Sequence, residues 1–288
     1  MSQTQPVQSI KLTIDHVTIA GPSLEKLQTA FAGIGLTPDY GGPHSNGITH
    51  MALIGFDDGS YLELISSLQP GAKDTAFWGD FIVGGGGPCA WAVYVDNVAE
   101  EARRVNDLGV SVNGPHYYNR RRPDGQLVEW DLAFLGDKSA GATIPFIIKD
   151  ITARALRVQP SASVAGGPIA GVSKVVLGVK NLAAVSAQFQ RLYRWPPPQT
   201  LTDHEFGASL LNFPDSPVIL AAPLADSDWL AARLSRFDEA PCAYLLGVTD
   251  FELASRQFKL THPTDWFGQP VAWFDQDQLN GLRVGLVG

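Results

Sequence analysis

The stretch Ile10-Lys-Leu-Thr-Ile-Asp-His-Val-Thr-Ile19 alternates apolar and polar side chains, which is the pattern of a half-buried strand. Gly21-Pro22 interrupts this strand, and Ser23 is a suitable N-cap for the helix predicted next. A hairpin is predicted over residues 49–66, with Asp57-Asp58-Gly59 as its turn. The predicted order is therefore β-α-β-β-β, in which the second strand has the weakest pattern.

A second unit of the same kind is predicted from Ala90 to Ile148, with its helix over residues 98–108. Residues 153–168 are rich in Ala, Ser, Gly and Pro, a composition typical of a linker. Beyond the linker the pattern begins again, with a strand over residues 172–179 that is followed by a helix.

Three landmarks recur at nearly constant spacing, which indicates an internal duplication. They are Asp15-His-Val17 with Ser173-Lys-Val175, the turns that open at Phe56 and Phe213, and Pro88-Cys-Ala90 with Pro241-Cys-Ala243.

The composition limits the class of protein. With 45% hydrophobic and 17% charged residues in a chain of 288, a sizeable core is expected and general disorder is excluded. The formal net charge of −8 disfavours a nucleic-acid partner. Two cysteines do not form a disulfide framework, and the sequence predicts neither a secretory signal nor a membrane-spanning apolar run. These features predict a cytoplasmic protein with no membrane partner, as a monomer or homodimer.

Several motifs of the first half resemble the glyoxalase-like branch of the vicinal-oxygen-chelate superfamily. They are Ile14-Asp-His-Val-Thr-Ile-Ala20, Gly41-Gly-Pro-His44, Thr49-His-Met-Ala-Leu-Ile54, Ser60-Tyr-Leu-Glu-Leu-Ile65, Arg121-Arg-Pro-Asp-Gly125, Trp130-Asp-Leu-Ala133 and Pro145-Phe-Ile-Ile148. The resemblance covers residues 10–150 well, whereas the half from residue 168 onward fits mainly by its pattern.

The resemblance implies an α+β fold of four βαβββ modules, paired into two curled mixed β-sheets, or cups, with helices packed outside. The predicted domains are an N-terminal glyoxalase-like domain at 10–150, a linker at 151–167 and a degenerate glyoxalase-like domain at 168–288. In this superfamily the cup usually holds a divalent metal ion that chelates vicinal oxygens of the substrate. Its ligands are His, Glu or Gln side chains from the first and last strands of the modules.

His16 and Glu63 match the family's ligand positions on the first and last strands of the first module. His16 is in phase with the apolar Ile10, Leu12 and Ile14, where an imidazole is either a metal ligand or a hydrogen-bonded core residue. Glu63 shares a face with Tyr61 and has leucine on both sides. If Glu63 is buried, its carboxylate needs a cation, hydrogen bonds or a metal ion. The alternative is that this face of the strand is exposed to water, in which case the carboxylate is simply hydrated. Glu63 is also a candidate general base, because burial would raise its pKa.

A catalytic metal normally has three protein ligands, so a third is required. His50, in phase with Ala52 and Ile54, is the preferred third ligand. His44 lies in the preceding Gly-Pro turn and is the alternative, or else it contacts substrate. His and carboxylate ligands suit Zn, Fe, Mn and Ni alike, so the metal stays open. If neither histidine is a third ligand, the alternative is a cup that binds its small molecule without a metal.

The other modules lack ligands at the corresponding positions. In the second module these positions are near Trp91 and Ile147, which do not bind metals. The counterparts of His16 and Glu63 in the second half are expected to be Lys174 and Leu220. The chemistry is therefore expected in the first half.

Substrate contacts are predicted from the basic run and from aromatic residues. One arginine of the run Arg120-Arg121-Arg122, with Arg121 and Arg122 preferred, would clamp a carboxylate or phosphate, the alternative being a solvated basic loop. An apolar pocket would be lined by Tyr61, Trp91, Tyr118 and Trp130, the alternative being plain core. The preferred function is a metal-assisted glyoxalase, isomerase or lyase acting on a small oxygenated molecule, either neutral or anionic.

Two alternatives remain open. One is a non-catalytic protein that sequesters a small molecule in its cup, similar to the bleomycin-resistance members of the superfamily. The other is an extradiol-type dioxygenase. Because the ring-cleaving dioxygenases of the superfamily carry their metal in the C-terminal half, the ligand positions here favour a lyase or isomerase.

Overall fold

The computed structural model describes residues 8–69, 71, 77–226 and 228–288 of the chain. The sequence predicts no secretory signal at residues 1–9. Residues 1–7 of this segment lie outside the described residues. Within the described ranges no helix is both long enough and apolar enough to span a bilayer.

The first half forms two modules with the predicted order of strands and helix. The first module consists of β1 (Thr13–Ala20), α1 (Leu24–Gly33), β2 (Asp39–Pro43), β3 (Thr49–Gly55) and β4 (Tyr61–Ser67). After the short helix α2 (Gly79–Gly84), the second module consists of β5 (Gly87–Tyr94), α3 (Val98–Asp107), β6 (Val112–Arg121), β7 (Leu127–Leu135) and β8 (Phe146–Asp150).

The second half repeats this arrangement after the short helix α4 (Arg154–Arg157). Its first module consists of β9 (Ile169–Gly178), α5 (Leu182–Tyr193), β10 (Gln199–Asp203), β11 (Ala208–Asn212) and β12 (Val218–Pro223). After α6 (Trp229–Phe237) follow β13 (Ala240–Val248), α7 (Phe251–Gln257), β14 (Thr264–Trp266), β15 (Gln269–Trp273) and β16 (Val284–Val287).

The strands form two curled eight-stranded sheets with the same topology, which confirms the predicted α+β fold of four modules. The order is β2-β3-β4-β1-β5-β8-β7-β6 in the first sheet and β10-β11-β12-β9-β13-β16-β15-β14 in the second. In both sheets the first strands of the two modules pair antiparallel at the centre, β1 with β5 and β9 with β13. Each first strand also pairs parallel with the last strand of its own module.

The first helix forms where its capping residue and apolar stripe predict it. Ser23 adopts an extended backbone, and its side chain accepts a hydrogen bond from the backbone N–H of Lys26. Leu24, Leu27 and Phe31 are buried on one side of α1 and join the apolar core on the convex face of the sheet. The concave face is therefore left free to form a cup.

A β-bulge in β1 decides which face His16 occupies. The pairing of β1 with β5 shifts register between Ile14 and His16. Leu12, Ile14 and Val17 lie in the apolar core, whereas His16 lines the cup. The prediction that His16 shares a face with Ile14 is therefore wrong, because the strand does not keep a strict period of two through the bulge.

The two halves share one apolar core and are joined by a buried tyrosine. Tyr244 of β13 is completely buried, and its hydroxyl lies 2.9 Å from the carbonyl oxygen of Thr18 and 2.8 Å from that of Ala90. Its single proton is shared between these two carbonyls of the opposite half at the centre of the first sheet. The core contains residues of both sheets, among them Val17 and Val175.

Tyr244→Phe should lower the free energy of unfolding by about 1–3 kcal/mol, because the two buried carbonyls lose the hydroxyl whose proton they share. Equilibrium urea unfolding monitored by circular dichroism measures the change. Tyr40→Phe is the matched control, since Tyr40 is 48% exposed and its variant should match the wild type. Equal stability of Tyr244→Phe and wild type would contradict a contribution of this hydroxyl to the joining of the halves.

Candidate functional site

A cavity of about 190 Å³ lies in the cup of the first sheet. Most of its wall is apolar and aromatic, contributed by both modules. The aromatic part includes Phe77, Trp78, Tyr118, Trp130, Phe134 and Phe146. The polar part includes His16, His44, Thr49, Tyr61, Glu63 and Arg120. A few polar groups in an apolar concave site are typical of a small-molecule site.

Glu63 is the central charged group of this cavity. It lies in β4, is buried, and faces the cup together with Tyr61 and Ile65, as predicted from their alternation. Its Oε2 accepts from the hydroxyl of Thr18 at 3.2 Å, and its Oε1 lies 3.2 Å from Nε2 of His44. Burial raises the pKa of Glu63, but the hydrogen bond from His44 and the nearby imidazoles lower it more, to about 2.

His16 is oriented by the residue before it in the chain. Its Nδ1 lies 2.6 Å from Oδ1 of Asp15, and its ring stacks on Tyr61 with the centroids 4.6 Å apart. Since the carboxylate accepts, the Nδ1 of His16 carries the proton, and in the neutral ring Nε2 keeps its lone pair. This Nε2 lies 3.9 Å from Oε2 of Glu63. Asp15 thus directs the unprotonated nitrogen of His16 toward the cavity and Glu63.

Asp15 is held ionised by arginines from the segment that was predicted to be a linker. Asp15 is completely buried, and Arg157 of α4 binds both of its oxygens, at 2.9 and 2.7 Å, while Arg154 also pairs with it. Burial raises the pKa of Asp15, but Arg157 and His16 together keep it well below its usual value. The division into two domains joined by a linker stays a prediction, yet residues 151–167 clearly contribute to the site.

Arg157 has its hydrogen-bonding capacity fully used. Its guanidinium donates five hydrogen bonds, to the carboxylates of Asp15 and Asp150 and to the hydroxyl of Tyr61. The side chain is 3% exposed, so this network fixes β1, β4, β8 and α4 relative to one another. Burial also raises the pKa of Tyr61 above its ordinary value, so the phenol stays protonated.

His44 reaches the cup from the loop between β2 and β3. The backbone N–H groups of Ile48 and Thr49 donate to Oδ1 of Asn46, which gives the loop a defined turn. The hydroxyl of Thr49 then lies 2.8 Å from Nδ1 of His44, and the ring directs Nε2 toward Glu63. His44 was predicted as a substrate contact, or as the less favoured ligand, and the structure brings it to Glu63.

Other predicted site residues lie away from this cavity. His50 faces the opposite side of β3 from the cavity-lining Thr49 and Met51, and its ring contacts Tyr40. Trp91 is completely buried in the core behind the sheet, where its indole N–H donates to the carbonyl of Thr143.

Two of the three arginines considered as a substrate clamp have local partners instead. Arg121 is exposed and donates to the carbonyl of Gly125, while Arg122 pairs with Asp124 at 3.2 Å. The structure therefore brings together His16, His44, Tyr61, Glu63 and Trp130, and it keeps His50, Trp91, Arg121 and Arg122 out of the cup.

The sequence matches the model of the glyoxalase-like domain family over residues 14–193, more than half of the chain. The chain belongs to the glyoxalase-like family. No curated protein matches its sequence.

Two solved structures share the fold of this glyoxalase-like chain over nearly its whole length. A hypothetical protein from Staphylococcus aureus aligns with 96% of this chain and 98% of its own, at 14% identity and a TM-score of 0.62. A mutant of 4-hydroxymandelate synthase from Streptomyces coelicolor aligns with 96% of this chain and 92% of its own, at 11% identity and a TM-score of 0.60. Methylmalonyl-CoA epimerase from Mycobacterium tuberculosis aligns with 41% of this chain and 87% of its own, at 18% identity and a TM-score of 0.35.

The donors of the cup do not fit a metal ion as they stand. In the second module the cup-facing residues are Ala92, which pairs with His16, and Phe146, rather than the predicted Trp91 and Ile147. Among the residues that the structure describes, no three His, Cys, Asp or Glu side chains are arranged to hold a metal. The Nε2 of His44, which a metal ion would need as a ligand, is instead hydrogen-bonded to Glu63.

The second cup of the glyoxalase-like chain is filled with its own side chains. Ile219 pairs with Val176, as Glu63 pairs with Thr18, so Ile219 and not the predicted Leu220 is the counterpart of Glu63. Phe206, Trp266 and Trp273 pack against one another within the same apolar cluster. Lys174, in the place of His16, donates to the carbonyl of Ser216 at 2.6 Å.

Sequence reasoning missed the residues that support the site. Asp15 lies within the quoted Asp-His-Val motif, and its position next to His16 was the available signal. Arg154 and Arg157 were overlooked because they follow the last strand of the second module in a segment read as a linker. Two basic residues three positions apart in an otherwise small-residue segment would have been the signal for α4.

Replacing Arg157 should destabilise the protein strongly, because it would leave the buried Asp15 and Asp150 without their main partner. Arg157→Leu is expected to lower the free energy of unfolding by about 3–5 kcal/mol. Arg103→Leu is the control, since Arg103 is exposed on α3, and it should change stability by about 0.5 kcal/mol or less. Similar stabilities of the two variants in urea unfolding would contradict the network.

Glu63→Gln tests whether the buried carboxylate is ionised and paired. Because the pKa of Glu63 falls from 4.5 to about 2 on folding, its ionisation stabilises the protein above pH 4.5, and this contribution is lost as the pH falls toward 2. The variant should be less stable than wild type by about 1–3 kcal/mol at pH 7, and the difference should shrink below pH 4.5.

Urea unfolding at several pH values measures the difference between Glu63→Gln and wild type. Glu205→Gln, at an exposed site, is the control and should follow the wild type at each pH. A difference that stays constant from neutral to acidic pH would show that Glu63 is not held as a carboxylate.

Proposed function

We propose that this chain is an enzyme of the isomerase or lyase type, which moves a proton at a carbon next to a carbonyl group of a small molecule. The substrate occupies the cup of the first sheet. The observation that carries the proposal is the orientation of His16, whose Nε2 is directed by Asp15 toward the cavity beside the ionised Glu63.

His16 is the general base in this proposal. A general base needs a free lone pair within reach of the substrate, and the hydrogen bond from Nδ1 to Asp15 leaves that lone pair on Nε2. When His16 takes a proton, the imidazolium lies between two carboxylates, Asp15 at 2.6 Å and Glu63 at 3.9 Å. Both carboxylates stabilise the charge that develops during the transfer.

Glu63 has an electrostatic role rather than the role of base. A pKa of about 2 makes its carboxylate a weak base at neutral pH, although the sequence had suggested a raised value. His44 and Thr18 hold the carboxylate in place, and His44 is therefore a positioning residue.

The wall of the cavity supports a substrate with a largely apolar body. Tyr118 and Trp130 lie nearly parallel, with 17° between their rings, and Phe146 lies edge-on to His16. Rings in such an arrangement exclude water from the reacting atoms and strengthen the electrostatic interactions among them.

Proton transfer can be tested without knowledge of the natural substrate. The purified chain is incubated in D₂O with a panel of small ketones, 2-oxo acids and 2-hydroxy ketones, and proton NMR follows exchange next to the carbonyl. Wild type should accelerate exchange in at least one compound, and His16→Gln should reduce the acceleration by about 10²–10⁴-fold. His50→Gln is the matched control and should behave as wild type, because His50 lies outside the cup.

Exchange that is equal in His16→Gln and wild type would contradict the role of His16. Binding of a compound without any exchange would indicate sequestration instead of catalysis.

Removal of metal separates this mechanism from the metal-assisted one predicted from the sequence. Because the donors of the cup do not form a metal site as placed, exchange should persist after dialysis against EDTA. Emission spectrometry on protein prepared without a histidine tag should detect far less than one Zn, Fe, Mn or Ni per chain. Loss of exchange in EDTA, with recovery on addition of one of these ions, would contradict the metal-independent mechanism.

A further inference from the structure

Arg120 is a buried cation in the wall of the same cavity. It lies near the end of β6, its residue is 5% exposed, and it also borders a second hollow between β2 and α4. Unlike Arg121 and Arg122, which follow it in the chain, Arg120 faces the cup.

The guanidinium of Arg120 has no counter-ion among the residues described. Its Nη1 donates to the carbonyl of Gly41 and its Nη2 to the carbonyl of Arg157, each at 2.8 Å. These two acceptors are uncharged, and no carboxylate within the described ranges pairs with Arg120. Since a guanidinium has five N–H groups, three remain without a bond of this kind.

The neighbouring Arg157 shows what a saturated guanidinium looks like in this protein. Arg157 donates five hydrogen bonds and neutralises Asp15 and Asp150. Arg120 makes two, although it lies in the same wall and is buried to nearly the same degree. The difference is therefore one of available partners and not of exposure.

An unpaired buried charge carries a desolvation cost that an anionic ligand would offset. Burial lowers the pKa of Arg120, although Tyr61 and Glu63 act in the opposite direction. The two carbonyls hold the guanidinium in one orientation, so little side-chain entropy is lost when a ligand binds.

We propose that Arg120 binds the carboxylate of the molecule that occupies the first cup, and that this molecule is a small carboxylic acid with an aromatic body. The substrate class rests on the proposed function, since it places the ligand in the same cavity. The carboxylate lies at Arg120, the ring packs between the aromatic walls, and the reacting carbon lies toward His16.

The aromatic part of this assignment follows from the position of Arg120 on its strand. Tyr118 is two residues before it on β6, so both side chains face the cup, and Trp130 pairs with Tyr118 on β7. The anion-binding group thus lies directly beside two aromatic rings. An aliphatic dicarboxylate would leave these rings without a matching surface.

Isothermal titration calorimetry with 3-phenylpropanoate and with its uncharged amide tests the proposal on the full chain. Wild type should bind the acid about 10- to 100-fold more tightly than the amide, as expected for charge-assisted hydrogen bonds. Arg120→Gln should lose this preference while it retains binding of the amide. Arg122→Gln is the matched control from the same basic run and should keep the preference. Equal affinity of wild type for the two probes, or an undiminished preference in Arg120→Gln, would overturn the proposal.

Thermal unfolding followed by circular dichroism shows whether Arg120→Gln is folded. If it is not, a second variant tests whether Arg120 binds the carboxylate. Arg120→Lys keeps the charge but loses the planar fork, so the affinity for the acid should fall by about tenfold with that for the amide unchanged. An unchanged affinity for the acid would contradict the assignment.

These binding measurements do not depend on turnover. If wild type prefers the acid but catalyses no proton exchange, the role of Arg120 is supported and the catalytic role of His16 is contradicted. If it catalyses exchange but shows no preference for the acid, the role of His16 is supported and that of Arg120 is contradicted.

Discussion

The ion pair between Asp15 and Arg157 is the interaction on which the site depends. A completely buried carboxylate on the first strand needs a cation, and the cation comes from α4, more than a hundred residues later. Once paired, Asp15 also holds the ring of His16 through Nδ1, so the protonation pattern of the imidazole follows from the ion pair. The connection between the two halves is therefore a part of the site.

The duplication has led to two cups with different contents. The first is open and contains an ionised glutamate, two imidazoles and an arginine that has no counter-ion among the described residues, within an aromatic wall. The second is closed by Phe206, Trp266 and Trp273, and it has an apolar residue where the first has Glu63. The second half contributes the shared core and the hydroxyl of Tyr244, so its role in the described structure is to support the first.

Within the first cup the two modules also differ. The side chains that contact the carboxylate of Glu63 come from the first module, whereas the second supplies alanine, aromatic rings and Arg120. This asymmetry supports acid-base chemistry at one wall and recognition of the ligand body at the other. It also explains why donors do not surround a central point, since half of the wall is apolar.

The sequence by itself determined the βαβββ order of the first module, the internal repeat, the resemblance to the family and the position of Glu63, because strand alternation, capping residues and turns are local signals. It did not indicate the short helices α2, α4 and α6. Glu63 could be predicted because β4 keeps a strict period of two between leucines. For His16 the family resemblance predicted a place in the cup, whereas strand alternation placed it with the apolar face. Only the tertiary structure decided between the two, since a bulge in β1 changes the phase. It also decided that His44 rather than His50 reaches Glu63, since a loop carries it there. It likewise decided that Arg157 pairs with Asp15 and that Arg120 lines the cup, whereas Arg121 and Arg122 lie outside it, because contacts between residues far apart in the sequence are set by distance in space.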